Sequence, residues 1–216
     1  LRPSGRSGPA AISLAEFARH FAATGPAAVW ERQALVKARP VVGGPAAVAE
    51  ARRIIEAAAY GRAWTAAEVE SIREMRLRME EGAKPANLKR GPGGVVDVEF
   101  IAQMLQLVHG GREPRLRLTG TLPALVALRD CGVIDPGRFA FLERAYRPLR
   151  GIEGRLRLLE APARHDLPES EDERRKLARL LGYPDAAALV TDVHDVTTRV
   201  RVEFDAVFSE TIRVLG

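Results

Sequence analysis

The stretch Asn87-Leu88-Lys89-Arg90-Gly91-Pro92-Gly93-Gly94-Val95-Val96-Asp97-Val98-Glu99-Phe100 constrains the fold more than any other part of the chain. It reads as a basic extended entry, a glycine-rich turn and the start of a long apolar helix. Gly93 and Gly94 can take backbone angles closed to other residues, and Pro92 fixes its own φ and restrains Gly91. Val95, Val98, Ile101, Met104, Leu105 and Val108 then recur at helical spacing and predict one buried stripe. Gly110-Gly111 ends the helix. Glu99, Gln103 and Gln106 form a second, polar stripe, which must meet water, a partner or a site.

The remaining segments are also helical in pattern. Ser13 with Glu16, and Thr65 with Glu68, carry the capping-box spacing. Pro45 stands at the first-turn position of a helix reaching Tyr60. Helices are expected over 27–38, with Trp30 in the core, and over Thr119 or Gly120 to Cys131. Others are expected over 136–160, with Pro148 inside, over 171–181 and over 186–208. Pro40 to Gly44 is a break that admits a short strand. The fold class is therefore all-α, a helical bundle with at most one or two short strands near the N-terminus. Helix content is expected at roughly twice the average for soluble domains. Gly82 to Pro92 is the one polar, basic, Gly/Pro-rich linker, and it divides the chain into 1–86 and 87–216.

Composition excludes several classes. Of 216 residues, 46% are apolar and 28% charged, as in soluble globular proteins. No run approaches the roughly 20 apolar residues that span a bilayer, so a membrane is not an expected partner. The net charge of +5 is spread over Arg-rich helices without aromatics between them, so nucleic acid is not expected either. Cys131 is the single cysteine, which excludes an internal disulfide and fits a cytoplasmic location. The chain begins at Leu1, with no signal-like segment, and is expected to be a piece of a longer protein preceded by a strand.

Few residues point to chemistry. Asp97 and Glu99 lie two apart on a helix and point about 200° apart, so they cannot hold one metal ion together. Asp97, three residues into the helix, suits the positive helix end or a site. Glu99, on the polar stripe with Gln103, suits an interface or a site. Lys89 and Arg90 before a glycine-rich helix start have anion-binding geometry, yet Asp97 already occupies that end and the Walker spacing is missing. The turn therefore reads as a phosphate contact or as packing. Lys37 and Arg39 suit a helix C-terminus by dipole alone. His20, His109, His165 and His194 have no metal spacing, and no nucleophile can be named.

"LKRGPGGVVDVEFIAQMLQLVHGGREPRLR" at 88–117 resembles the segment after the nucleotidyltransferase domain of glutamine synthetase adenylyltransferases, with a looser version in PII uridylyltransferases. "LRPSGRSGP" at 1–9 resembles the end of the family's catalytic domain, and "WERQALVKARPV" at 30–41 the helix that follows it. The resemblance implies a role in moving AMP from ATP to a tyrosine of glutamine synthetase, with Mg²⁺ and ATP as cofactors of the intact enzyme. It implies glutamine synthetase and the PII signalling protein as partners. It implies that residues 1–86 end the catalytic domain and 87–216 form the helical domain. It places Arg2 and Arg6 beside the nucleotide, puts Glu31 and Lys37 on a helix behind the pocket, and brings Lys89, Asp97, Glu99 and Gln103 within its reach. The family's Gly-Ser and Asp-x-Asp metal-binding pattern occurs nowhere in this chain. No metal ligand or catalytic residue carries over, and the chain by itself is expected to be inactive and to bind no cofactor. A free-standing helical regulatory or interaction module, or a structural linker, remains the alternative.

Overall fold

A computed structural model describes residues 8–9, 11–84, 86–159 and 165–216, with the backbone alone for 157–159. The fold is all-α and 69% helical. Among the described residues the elements are α1 (Leu14–Phe21), α2 (Val29–Ala34), α3 (Pro45–Tyr60), α4 (Ala66–Glu80), α5 (Val95–His109), α6 (Thr121–Asp130), α7 (Pro136–Leu159), α8 (Glu171–Leu181) and α9 (Ala186–Leu215). Short 3₁₀ turns occupy Leu35–Lys37 and Pro114–Leu116. No strand forms among the described residues, including at Pro40–Gly44; a single antiparallel bridge joins Asn87 to Asp166.

Local chemistry explains most boundaries. Ser13 and Glu16 exchange side-chain and backbone bonds at the start of α1, and Thr65 and Glu68 do the same before α4, which satisfies otherwise orphaned N–H groups. Gly182, at φ +81°, closes α8. α9 runs past the expected end at Phe208 to Leu215, because no Gly or Pro interrupts it before Gly216.

The chain forms two compact units, one of residues 1–75, 102–134 and 211–216, the other of 76–101 and 135–210. In the first unit α1, α2 and the 3₁₀ turn at Leu35–Lys37 pack on α3. Phe21, Leu35, Ile54, Ala59, Trp64 and Ile72 are buried there. Trp30, expected in the core, is 38% exposed, whereas Glu31, Arg32 and Gln33 are buried. The polar residues go inward because each finds a hydrogen-bond partner there, which removes the main penalty for burying them. In the second unit Val95, Val98, Ile101, Leu142, Ile152, Val200, Phe204 and Phe208 are buried, with the last two rings 4.4 Å apart.

Candidate functional site

The glycine turn of the second unit is a closed structure. The Asn87 side-chain oxygen accepts from the N–H groups of Lys89 and Arg90 at 3.1 and 2.7 Å. The carbonyls of Asn87, Leu88, Lys89, Gly91 and Gly94 accept from the N–H groups of Gly91, Val95, Val96, Gly94 and Asp97. The remaining donor, Gly93 N–H, goes to Asp97 Oδ2 at 2.7 Å. A helix N-terminus binds phosphate through free N–H groups, and at α5 they are all engaged. The backbone cradle that Lys89 and Arg90 suggested is therefore filled by the chain itself, and the turn is packing geometry.

The glycines are required for two separate reasons. Gly93 has φ +69°, and a Cβ there would stand 1.7 Å from the Thr197 carbonyl oxygen on α9. Gly94 has an ordinary φ, but a Cβ would stand 2.7 Å from the Leu88 oxygen. The turn thus meets α9 backbone to backbone, which only glycine permits.

Asp97 is fully buried and lies between two cations. Arg76 Nε is 2.5 Å from its Oδ1 and Arg201 Nη1 is 3.4 Å from its Oδ2. Arg76, itself fully buried, also donates to the carbonyls of Arg90 and Gly91 at 3.0 and 2.9 Å and stands 3.2 Å from Glu80. Glu80 in turn pairs with Arg201. Burial pushes the Asp97 carboxyl up, opposed by Arg76, Arg201 and the Gly93 N–H. The network pins α4, the turn and α9 together, and it leaves Asp97 no surface from which to touch a ligand.

The other expected site residues disperse. Lys89 is part-exposed and reaches 3.6 Å from Glu153 Oε1, a buried carboxylate that also pairs with Arg150 and stands 3.3 Å from His165 Nδ1. Glu99 accepts from the Tyr146 hydroxyl at 3.0 Å. In the first unit Gln103 is 8% exposed and accepts from Gln33 at 3.0 Å. Gln106 donates to the carbonyls of Leu116 and Leu118. The polar stripe of α5, expected to meet water, a partner or a site, has internal hydrogen-bond partners at all three positions. Glu31 is buried, accepts from Ala28 N–H at 2.9 Å and meets His20 Nε2 at 3.0 Å. Lys37 is exposed at the end of its 3₁₀ turn. Arg2 and Arg6 lie outside the described residues.

Sequence reasoning missed Arg76, Arg201, Arg32, Glu153 and Tyr146. Arg76 sits among Arg73, Glu74 and Arg78 in the charged pattern of α4 and carries no local mark of burial. Arg32 donates to the carbonyls of Phe21, Ala22 and Ala58 at 2.9, 2.8 and 3.4 Å. A tell-tale for Asp97 was available: an acid three residues into an otherwise apolar buried helix requires a cation. No group of three or more His, Cys, Asp or Glu residues that could hold a metal ion occurs among the described residues. The carboxylate best placed, Asp97, already faces two arginines, so these residues do not fit Mg²⁺. No helix among the described residues is long and apolar enough to cross a membrane.

Comparison with known proteins agrees with the motif reading. Residues 66–208 match the family model described as GlnD PII-uridylyltransferase, and residues 1–54 match that of glutamate-ammonia ligase adenylyltransferase. A bifunctional glutamine synthetase adenylyltransferase/adenylyl-removing enzyme of Xanthomonas campestris pv. campestris (strain B100) is 41% identical over 94% of this chain, and 22% of its own length is covered. Proteins of the same description from Streptomyces coelicolor and Chromobacterium violaceum are 40% and 34% identical over 84% and 96% of the chain, covering 18% and 23% of their lengths. The chain thus spans about a fifth of the curated relatives it matches.

Proposed function

Since the chain belongs to the glutamine synthetase adenylyltransferase family, we propose that it is the helical portion following one nucleotidyltransferase domain of such an enzyme. In this reading it completes the wall of the nucleotide pocket and docks glutamine synthetase or the PII protein, and so takes part in controlling nitrogen assimilation. Mg²⁺ and ATP belong to the catalytic domain of the intact enzyme, and the location is the cytoplasm. The observation that carries the reading is the match to adenylyltransferases at 41% identity along 94% of the chain.

The geometry gives the proposal a division of labour. Asp97, Gln103 and Glu31 are buried and support the scaffold. Lys89 and Arg90, on the partly exposed side of the pinned turn, and the exposed Lys37 are the surface cations that can meet a phosphate or an acidic partner surface. A rigid support lowers the ordering cost of such contacts.

The test is a chimera. The aligned stretch of the Xanthomonas campestris enzyme is replaced by this chain, and transfer of labelled AMP to glutamine synthetase is measured with Mg²⁺ present. The chimera is expected to transfer AMP and the isolated chain to transfer none. Lys89→Ala with Arg90→Ala is expected to lower the rate about tenfold, the size of one or two lost charge-assisted contacts. A folded but inert chimera, or an unchanged rate in the double variant, overturns the assignment.

A further inference from the structure

A cleft of about 320 Å³ lies between α7 and α9 in the second unit. Its two walls differ in charge: α7 supplies Arg144, and α9 supplies Asp192, Asp195 and Arg199, with Phe141 and Val196 as apolar surface. Opposite charges lining one surface cleft ordinarily pair. Here Arg144, Asp195 and Arg199 form no ion pair among the described residues. Arg199 instead lays its guanidinium 4.4 Å from the centre of the buried Phe141 ring. That contact fixes it as a flat layer at the cleft surface. Asp192 is engaged by the Tyr183 hydroxyl, 2.5 Å from its Oδ2, so Asp195 is the carboxylate left with both oxygens for a ligand.

We propose that this cleft binds the guanine base of a guanosine nucleotide. A simple anion would be drawn to Arg144 and Arg199 but repelled by Asp192 and Asp195, and a simple cation would meet the reverse. A flat ring with donors along one edge and acceptors along another satisfies both walls at once. Guanine carries N1–H and N2–H side by side, which match the two oxygens of Asp195. It carries O6 and N7 side by side, which match a bidentate guanidinium, here that of Arg144. Its face stacks on the Arg199 layer, as unpaired bases do on guanidinium planes. Adenine sets its one amine beside an unprotonated N1, whose lone pair a carboxylate repels, so the cleft discriminates against it. The volume sits at the small end of ligand cavities. Arg144 and Asp195 are exposed, so the affinity belongs in the range of about millimolar rather than nanomolar.

Amide chemical shifts of the ¹⁵N-labelled full chain test this directly. The 5′-monophosphates of guanosine, inosine and adenosine are titrated in turn, so that sugar and phosphate stay constant and only the base changes. The guanosine nucleotide is expected to move the amides of Ala145 and Val196 saturably. The inosine nucleotide, which lacks the N2 amine, is expected to bind about fivefold more weakly, and the adenosine nucleotide more weakly still. Arg144→Ala and Asp195→Asn, each at an exposed side chain, are expected to weaken guanosine binding about tenfold while leaving the remaining spectrum in place. No saturable shift with the guanosine nucleotide overturns the proposal. So does equal binding by either analogue, which reduces the contact to phosphate or stacking alone, or binding unchanged in both variants.

Discussion

Arg32 and Arg76 are both buried arginines, one in each unit, and they are stabilised by different means. Arg32 meets three backbone carbonyls, those of Phe21, Ala22 and Ala58. Arg76 also meets two carbonyls, those of Arg90 and Gly91, but adds a buried carboxylate, Asp97, with a second cation, Arg201, on its far side, and Glu80 at 3.2 Å. Carbonyl dipoles satisfy donors without cancelling the charge, and burial accordingly lowers the Arg32 pKa, with Arg62 adding to the effect. A carboxylate cancels the charge but must itself be desolvated, and the Asp97 carboxyl is pushed up for that reason. The first solution tolerates the loss of any one acceptor. The second is the more fragile, because loss of Asp97 leaves the buried Arg76 with Glu80 at 3.2 Å as its carboxylate, one that Arg201 also engages.

The largest effect is therefore expected at Asp97. Asp97→Ala takes from Arg76 its fully buried partner and frees the Gly93 N–H, and should lower the unfolding free energy of the chain by about 3–5 kcal/mol, the range for breaking a buried pair. Asp97→Asn keeps an acceptor for Gly93 and should cost less. Urea midpoints of the two variants against the parent chain measure both. If Asp97→Ala unfolds at the parent midpoint, the pair does not hold the turn.

Arg32→Met removes the other buried cation together with its own desolvation cost, but leaves three carbonyls without their donor. The expected loss is about 1–3 kcal/mol, smaller than at Asp97 because no opposite charge loses its buried partner. A loss at Arg32 that exceeds that of Asp97→Ala in the same denaturant series would reverse the comparison.

The same contrast explains what the sequence could and could not reveal. Features written within four or so residues were legible: both capping boxes, the Pro45 start, the apolar stripe of α5 and the end of α8 at Gly182. The turn was legible as a glycine requirement, but its reason at Gly93 lies at Thr197 on α9. Asp97 was visible as an acid at a helix start, yet its partners come from α4 and α9. Nothing at position 76 or 201 marks those arginines apart from their surface neighbours. Trp30 shows the converse: an aromatic residue was assigned inward by hydropathy, while Arg32 and Gln33 went in because carbonyls and Gln103 awaited them. Long-range polar pairing decides the site, and helical periodicity carries no record of it.

The smallest expected effect separates the two units by pH. His109, near the end of α5 in the first unit, has its pKa lowered by burial and secondarily by Arg112. A base with a depressed folded pKa binds a proton more readily when unfolded. Its contribution is thus full above the ordinary histidine value of 6.5 and is lost as pH falls from there toward the folded value. Asp97 in the second unit behaves oppositely. Its folded pKa is raised above the ordinary 3.8, so its contribution is full below that value and is lost as pH rises through the folded one. Mild acid should therefore weaken the chain through His109 while easing the strain at Asp97. His109→Gln should remove the fall in unfolding free energy below pH 6.5, and Asp97→Asn should leave that fall in place. The His109 effect is small because its ring is only half-buried and water screens it. Urea midpoints taken from neutral pH downward decide the matter: a His109→Gln variant that still loses stability as steeply as the parent assigns the acid response to another group.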